Sequence, residues 1–134
     1  PATARSLGVT DRTDPEQSLR GGIRYLQQMW EYWENIPDST TRLKFAIASY
    51  NCGYNHVADA RRLADKYGDD PDQWEGHVEQ YLQKLTYSKY YNDPVAKYGY
   101  VRGIEPVTYV KQVFARFEHY RQLVSSGEET SQNA

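Results

Sequence analysis

Residues 43–57, LKFAIASYNCGYNHV, decide the fold class. The first half of this stretch places apolar side chains at the spacing of one helical face, and small residues widen that face. The positions concerned are Leu43, Phe45, Ala46, Ile47, Ala48 and Tyr50. A helix with so many small and apolar residues is predicted to be buried on most sides. Gly53 is in the position just past its end, where glycine is favoured.

The segment before this helix has a helical pattern too. Asp14 and Pro15 form a typical helix start, with a capping acid followed by proline at the first helical position. An apolar face follows at helical spacing, formed by Leu19, Ile23, Leu26, Trp30 and Trp33. Within it, Gly21 and Gly22 lower the intrinsic helix propensity. Their presence predicts either the close approach of another backbone or a kink.

Capping signals divide the middle of the chain. Asp38 or Ser39 is predicted to cap the buried helix, since both side chains can accept hydrogen bonds from the first turn. Asn55 is predicted to cap a third helix that ends near Gly68. Asp70 is predicted to cap a fourth helix, which carries the apolar side chains of Trp74, Val78, Leu82 and Leu85.

The C-terminal part predicts a tyrosine-rich connection followed by one helix. Residues 86–104 are interrupted by proline and glycine, which indicates an irregular segment. A helix is predicted from Pro106 to about Val124, with an inward face formed by Val110, Val113, Phe114 and Phe117. Because no segment alternates like a strand, the sequence predicts one all-α domain over residues 1–124. The polar residues 125–134 are predicted to be a disordered tail.

Composition argues against several classes of partner. The formal net charge of the 134 residues is −2, which gives no general attraction to nucleic acid. No apolar run approaches the roughly 18–20 residues of a membrane span. The unusual feature is the presence of 13 tyrosines against 3 phenylalanines. Tyrosine combines an apolar face with a polar tip, so it suits a wet binding groove as well as an ordinary protein surface.

Two places in the sequence are candidates for a functional site. The three histidines have no metal-ligand spacing with Cys52, the single cysteine, so we predict no metal and no cofactor. Tyr50 and Asn51 end the buried helix, from which side chains can project into a cleft. Glu105 lies at the start of the last helix, where its charged form is favoured, and Tyr109 is one turn further on. The plainer alternative is a capping role for Glu105 and a boundary position for Tyr109.

Four segments occur in the order found in one enzyme family. They read PATA (1–4), DPEQSLRGGIRYL (14–26), SYNCGYNHVADARRL (49–63) and YGYVRGIEPVTYVKQV (98–113). Together they resemble the lytic transglycosylases, which are lysozyme-like members of glycoside hydrolase family 23 that cleave peptidoglycan. The resemblance covers roughly residues 1–124. It implies an all-α, lysozyme-like fold of the goose-type and soluble lytic transglycosylase kind.

The resemblance assigns roles to the candidate residues. The family's Ala-Tyr-Asn motif corresponds to residues 49–51, with serine in place of alanine. It implies that the hydroxyl of Tyr50 orients the catalytic glutamate and that Asn51 helps to shape the cleft. The family's late Glu-x-x-x-Tyr-Val motif implies that Glu105 contacts a substrate sugar and that Tyr109 lines the groove.

The resemblance also implies a reaction and a location. Tyr98 and Arg102 would belong to a neighbouring wall of the cleft. The implied reaction is non-hydrolytic cleavage of the bond between N-acetylmuramic acid and N-acetylglucosamine, giving 1,6-anhydromuramyl products. The implied partners are peptidoglycan glycan strands. The implied location is the bacterial cell envelope, in the periplasm, with attachment to the outer membrane through parts outside this chain.

One part of the family's pattern is not in this sequence. In the family, the catalytic glutamate stands in a Glu-Ser motif, which is followed by Gly-x-Met-Gln and then by Pro-x-Thr-Ala. This sequence starts with the last of these motifs, at residues 1–4. We therefore expect the catalytic glutamate to lie upstream of Pro1. We expect the fragment to be inactive alone, and to self-associate or to pair with the missing N-terminal part.

Two alternative functions stay open at this point. One is a goose-type lysozyme that hydrolyses the glycan with water, although no second positioned carboxylate is suggested by the sequence. The other is a non-catalytic helical module that binds glycan or acts as a scaffold.

Overall fold

Six α-helices and one kinked turn form the part of the chain that the structure describes. The computed structural model of the protein describes the backbone over residues 15–133 and side chains over residues 15–126. The helices are α1 (Pro15–Tyr32), α2 (Ser39–Cys52), α3 (Tyr54–Lys66), α4 (Glu79–Lys84), α5 (Ser88–Tyr91) and α6 (Ile104–Asn133), and the kinked turn is Trp74–Val78. No strand occurs within residues 15–133, so the prediction of an all-α fold is confirmed.

Helix α2 lies at the centre and packs against α1, α3 and α6. Every side chain from Phe45 to Ser49 is buried, as expected for a helix with small and apolar residues on most faces. The indole of Trp33, which directly follows α1, donates a hydrogen bond of 2.9 Å to Ser49 Oγ, which satisfies a buried hydroxyl. Leu43 is 36% exposed, so its predicted place on the inward face is wrong. It lies in the second turn of the helix, before the buried run that begins at Phe45.

The two ends of α2 follow the predicted capping rules, but the next helix does not. Asp38 is the cap, since its carboxylate accepts the Thr41 N–H at 2.8 Å. The Gly53 N–H donates to the Ser49 carbonyl at 2.8 Å, and Gly53 has a φ of 93°, which favours glycine. Helix α3 begins directly at Tyr54, and Gly53 is also its cap. The predicted cap, Asn55, therefore lies inside α3.

The predicted fourth helix begins later and is shorter than its pattern suggests. The Asp70 carboxylate accepts the N–H of Asp72, two residues on, and so stabilises a turn rather than a helix start. Gly76 then breaks the helical path with a φ of 73°. Regular helix begins only at Glu79. The apolar positions were predicted correctly, because Trp74, Val78, Leu82 and Leu85 are all buried.

The last helix begins slightly earlier and extends further than predicted. It starts at Ile104 and runs to Asn133, beyond the predicted end near Val124. Val110 is buried, but Phe117 is 64% exposed, so the predicted inward face ends before Phe117. The division into a domain over 1–124 and a tail over 125–134 stays a prediction. Among the helices described, none is both long and apolar enough to cross a membrane.

A buried carboxylate fixes the tyrosine-rich connection. Asp59 on α3 is 0% exposed and accepts the backbone N–H groups of Lys97 at 2.9 Å and Tyr98 at 2.8 Å. Its other partner is the guanidinium of Arg62, which also donates to the Val95 carbonyl at 2.9 Å. A fully buried carboxylate needs such partners. Two of the three partners of Asp59 are backbone groups of the connection, and the third, Arg62, also binds the connection at Val95.

A second carboxylate fixes the same segment a few residues earlier. Asp93 is buried and accepts from the Lys66 ammonium at 2.8 Å and the Tyr67 hydroxyl at 3.1 Å, both at the end of α3. The hydrogen bond from Lys66 is the main cause that lowers the pKa of Asp93 below its usual value. The connection is irregular, but it is held on α3 at both Asp93 and Asp59.

Gly103 allows α6 to start close against α4. A β-carbon at Gly103 would lie 1.9 Å from the Leu82 carbonyl oxygen and 2.5 Å from its carbon. The Gly103 N–H also donates to Thr86 Oγ1 at 3.2 Å. Only glycine permits this contact between two backbones.

Replacing Asp59 should destabilise the fold and release the connection. The change Asp59→Asn keeps one acceptor oxygen but turns an NH2 group toward backbone donors, so we expect a loss of about 2–4 kcal/mol in the free energy of unfolding. Urea denaturation measures this loss. The control is Asp65→Asn on the exposed face of the same helix. Amide exchange of Lys97 and Tyr98 should accelerate only in the first variant; unchanged exchange there would contradict the anchoring role.

Replacing Gly103 should cost more than replacing a glycine in open space. Gly103→Ala forces two backbones apart, and overpacking of this kind costs about 1–3 kcal/mol or more. Gly99 has a φ of 75°, but a β-carbon added there would meet no atom within 4 Å, so Gly99→Ala adds only backbone strain. That strain costs about 1 kcal/mol. Equal denaturation midpoints for the two variants would rule out the close contact.

Candidate functional site

An open apolar groove lies between α1, α2 and α6. It has a volume of about 270 Å³. We call it the main groove; its lining residues are Ser18, Leu19, Gly22, Ile23, Leu26, Ile47, Tyr50, Tyr109 and Val113. The groove brings together two of the predicted site residues, Tyr50 from α2 and Tyr109 from α6.

Stacked tyrosines form one side of the main groove. The rings of Tyr50 and Tyr109 are nearly parallel, with centroids 6.3 Å apart and an interplanar angle of 10°. The ring of Tyr25, on α1, lies 5.5 Å from that of Tyr50. Burial raises the pKa of Tyr25 above its ordinary value. These contacts hold Tyr50 in one orientation at the end of the central helix.

Gly22 makes room for the hydroxyl of Tyr50. A β-carbon at Gly22 would lie 3.0 Å from Tyr50 Oη, which is tighter than about nine in ten real contacts of a β-carbon. At Gly22 the close approach is therefore made by the side chain of Tyr50 and not by a backbone. The sequence contains the two residues that fit together, Gly22 and Tyr50, but no pattern in it indicates that they face each other.

The edge of the main groove is more exposed than the helical pattern predicted. Leu19 is 65% exposed and Ile23 is 50% exposed, although both were predicted to lie on the packed face of α1. Trp33, at the other end of the same face, is buried. The first turns of α1 therefore pack against little of the described chain and form an apolar rim.

Asn51 and Glu105 do not line the main groove. Asn51 is exposed at the end of α2. Glu105 has a side chain that is 61% exposed and forms an ion pair of 3.4 Å with Arg102. Since none of the residues that line the groove is an acid, the described part of it can bind an apolar or sugar surface but offers no carboxylic acid for proton transfer.

Arg102 belongs to a second groove, formed by α4, the tyrosine-rich connection and the start of α6. Its volume is about 650 Å³. We call it the tyrosine–cation groove; its lining residues are Gln80, Gln83, Lys84, Thr86, Tyr87, Tyr100, Arg102 and Ile104. Tyr98 does not line either groove, and its side chain is 52% exposed while its N–H is held by Asp59. Lys84 was not predicted as a site residue, because its position in this groove depends on tertiary contacts.

The remaining titratable groups near the grooves do not suggest a nucleophile. Burial raises the pKa of the Cys52 thiol to about 12, so the thiol is protonated at neutral pH. Burial lowers the pKa of His56, whose Nδ1 has no hydrogen-bond partner among the described residues. Within the described residues there is no cluster of three potential metal ligands.

Comparison with known proteins gives a consistent family. A model of the transglycosylase SLT domain matches residues 1–73. The membrane-bound lytic murein transglycosylase F of Vibrio cholerae is 48% identical over 114 residues, which cover 83% of this chain and 20% of that protein. The proteins of the same name from Maricaulis maris and Desulfosudis oleivorans are 44% and 41% identical, over 93% and 90% of this chain and 26% of each relative.

These matches include the segments that form the main groove in α1 and α2. The chain spans only about a fifth to a quarter of the length of these relatives. The family model nevertheless covers more than half of the chain, and the all-α architecture agrees with it. The protein therefore belongs to the family of transglycosylase SLT domains, which are lysozyme-like in fold.

Proposed function

We propose that this chain forms part of the glycan-binding cleft of a peptidoglycan lytic transglycosylase. The reaction is non-hydrolytic cleavage between N-acetylmuramic acid and N-acetylglucosamine with formation of a 1,6-anhydromuramyl end. Support comes from the family membership and from relatives that are named lytic murein transglycosylases. The observation that carries the proposal is the stacked pair Tyr50 and Tyr109 in an open groove.

The main groove suits a sugar chain. Tyrosine rings and the exposed Leu19 and Ile23 provide apolar faces for the C–H surface of a pyranose, while phenolic hydroxyls can hydrogen-bond to its polar groups. Tyr50 is held rigidly, because it lies on the buried helix α2. Preformed, mainly apolar grooves with a few polar groups are typical ligand sites.

In this proposal the catalytic carboxylic acid is not one of the groove residues described above. A single acid would protonate the glycosidic oxygen and then, as a carboxylate, accept the proton from the muramyl C6 hydroxyl that attacks C1. A raised pKa suits the first step, and an apolar groove raises the pKa of a carboxylic acid that enters it. The hydroxyl of Tyr50 would orient that acid. Residues 15–126 alone would then bind glycan without cleaving it.

We place the activity in the bacterial cell envelope. Peptidoglycan is the substrate in this proposal, and the relatives carry the description membrane-bound. A periplasmic position with attachment to the outer membrane is the finer form of the same proposal. The proposal also includes a role for the apolar rim at Leu19 and Ile23, which either mediates self-association or is covered by another part of the domain.

Changes at the two stacked tyrosines should show that glycan binding depends on an aromatic face and not on the Tyr50 hydroxyl. We expect Tyr109→Ala to weaken binding of chitotetraose by about 5- to 10-fold, since it removes an aromatic face from the groove. Tyr50→Phe keeps its ring and should leave this affinity within about 2-fold of the original. Calorimetry or NMR titration of the purified chain measures both.

The matched control is Tyr120→Ala, which removes a tyrosine that is 64% exposed on α6 and lines neither groove. Equal affinities for the Tyr109 and Tyr120 variants would contradict a role of the main groove in glycan binding.

Products from peptidoglycan are analysed in parallel by chromatography. Anhydromuramyl ends would show that the acid is within the chain, whereas ordinary reducing ends would support the hydrolytic alternative.

A further inference from the structure

We infer that the tyrosine–cation groove is a second binding site, which takes a carboxylate-bearing oligosaccharide. The inference rests on the proposed function for its ligand class. Nothing in the family resemblance assigns Lys84 or Tyr87 a role, and the main groove lies elsewhere, between α1, α2 and α6.

The aromatic side chains of this groove are unusually accessible. Tyr87 is 65% exposed, Tyr100 is 55% exposed, and the neighbouring Ile104 is 49% exposed. A cluster of exposed large side chains around a concave surface is typical of a binding site. Tyrosine faces pack well against pyranose rings, whereas their hydroxyls stay in contact with water.

Lys84 brings a positive charge to the groove without a countercharge. Its ammonium lies 4.9 Å from the ring centroid of Tyr81 and 5.3 Å from that of Tyr90, so two aromatic rings hold the side chain in place. Within the described residues no carboxylate is within 4.0 Å of Lys84. A fixed, half-buried cation that has no acidic partner is suited to an anionic ligand.

Arg102 adds a second positive charge, which Glu105 partly neutralises. Its guanidinium is 3.4 Å from the Glu105 carboxylate, and both side chains are more than half exposed. This distance exceeds the roughly 2.7–2.9 Å of a strong charge-assisted hydrogen bond, and exposed pairs contribute little. Among the described residues no acid lines the groove, and Lys84 and Arg102 outnumber the neighbouring Glu105, so the groove has a net positive character.

The walls of the groove are fixed before any ligand binds. Thr86 Oγ1 donates to the Val101 carbonyl and accepts the N–H of Gly103, which ties the two sides of the connection together. Gly103 packs directly on the backbone of Leu82 in α4. Preorganisation of this kind reduces the entropy that is lost when a ligand is ordered.

In peptidoglycan, the carboxylate could come from the lactyl group of muramic acid or from a stem peptide. Three ligands distinguish the sources: uncharged chitotetraose, a peptide-free tetrasaccharide of alternating N-acetylglucosamine and N-acetylmuramic acid, and the same tetrasaccharide with its peptides. Tighter binding of the second ligand than of the first would assign the lactyl carboxylate, and a gain only with the third would assign the peptide.

The test measures these affinities by calorimetry for Lys84→Gln, Arg102→Gln and the control Lys89→Gln. Lys89 lies over the ring of Tyr90 but does not line the groove. We expect the first two variants to lose about 5-fold or more in affinity for an acidic ligand and less than about 2-fold for chitotetraose. Glu105→Gln should strengthen acidic binding, because it frees Arg102; if Glu105 itself contacted a sugar, the same change would weaken binding of all three ligands.

The outcomes separate this inference from the proposed function. If Lys84→Gln and Arg102→Gln bind the acidic ligands like the unchanged chain, while Tyr109→Ala still weakens chitotetraose binding, the second site is overturned and the main groove stands. An equal loss for charged and uncharged ligands would also overturn it. If the unchanged chain binds none of the three, both proposals fail.

Discussion

The path of the tyrosine-rich connection depends on the burial of one charge, the carboxylate of Asp59. A fully buried carboxylate is tolerated only when most of its acceptor capacity is used, and here its partners are two backbone N–H groups of the connection and the guanidinium of Arg62. These bonds determine where residues 93–103 lie relative to α3. The start of α6 follows from that position, and so do the walls of the tyrosine–cation groove.

The main groove results from a different constraint, the fit of a tyrosine against a glycine. Tyr50 follows the buried residues of α2 in its last turn, and Gly22 leaves space for the hydroxyl at the end of the Tyr50 side chain. Tyr25 and Tyr109 pack on the ring from α1 and α6. Three helices thus meet at one side chain, which explains why a polar aromatic residue ends such an apolar helix.

Local rules predicted much of this structure, and tertiary contacts account for the rest. The burial of Phe45, the cap at Asp38 and the glycine at 53 follow from side-chain spacing and backbone geometry, so they could be predicted from the sequence. The exposure of Leu19 could not, because periodicity shows which residues share a face but not what covers that face. Likewise Asn55 and Asp70 are good capping residues, but the cap of α3 is Gly53 and Asp70 stabilises a turn. Tyr50 and Tyr109 were predicted for the site and do lie together, whereas Asn51 and Glu105 do not line the groove.

Gly53 has a mechanical consequence for the two grooves. It ends α2 and precedes α3 without any linker between them, so the helix that carries Tyr50 and the helix that carries Asp59 are connected in series through a single residue. Asp59 in α3 holds the tyrosine-rich connection, and α3 also packs directly on α2, which carries Tyr50. The position of one groove relative to the other therefore depends on the φ of 93° at Gly53 together with the packing of α2 against α3.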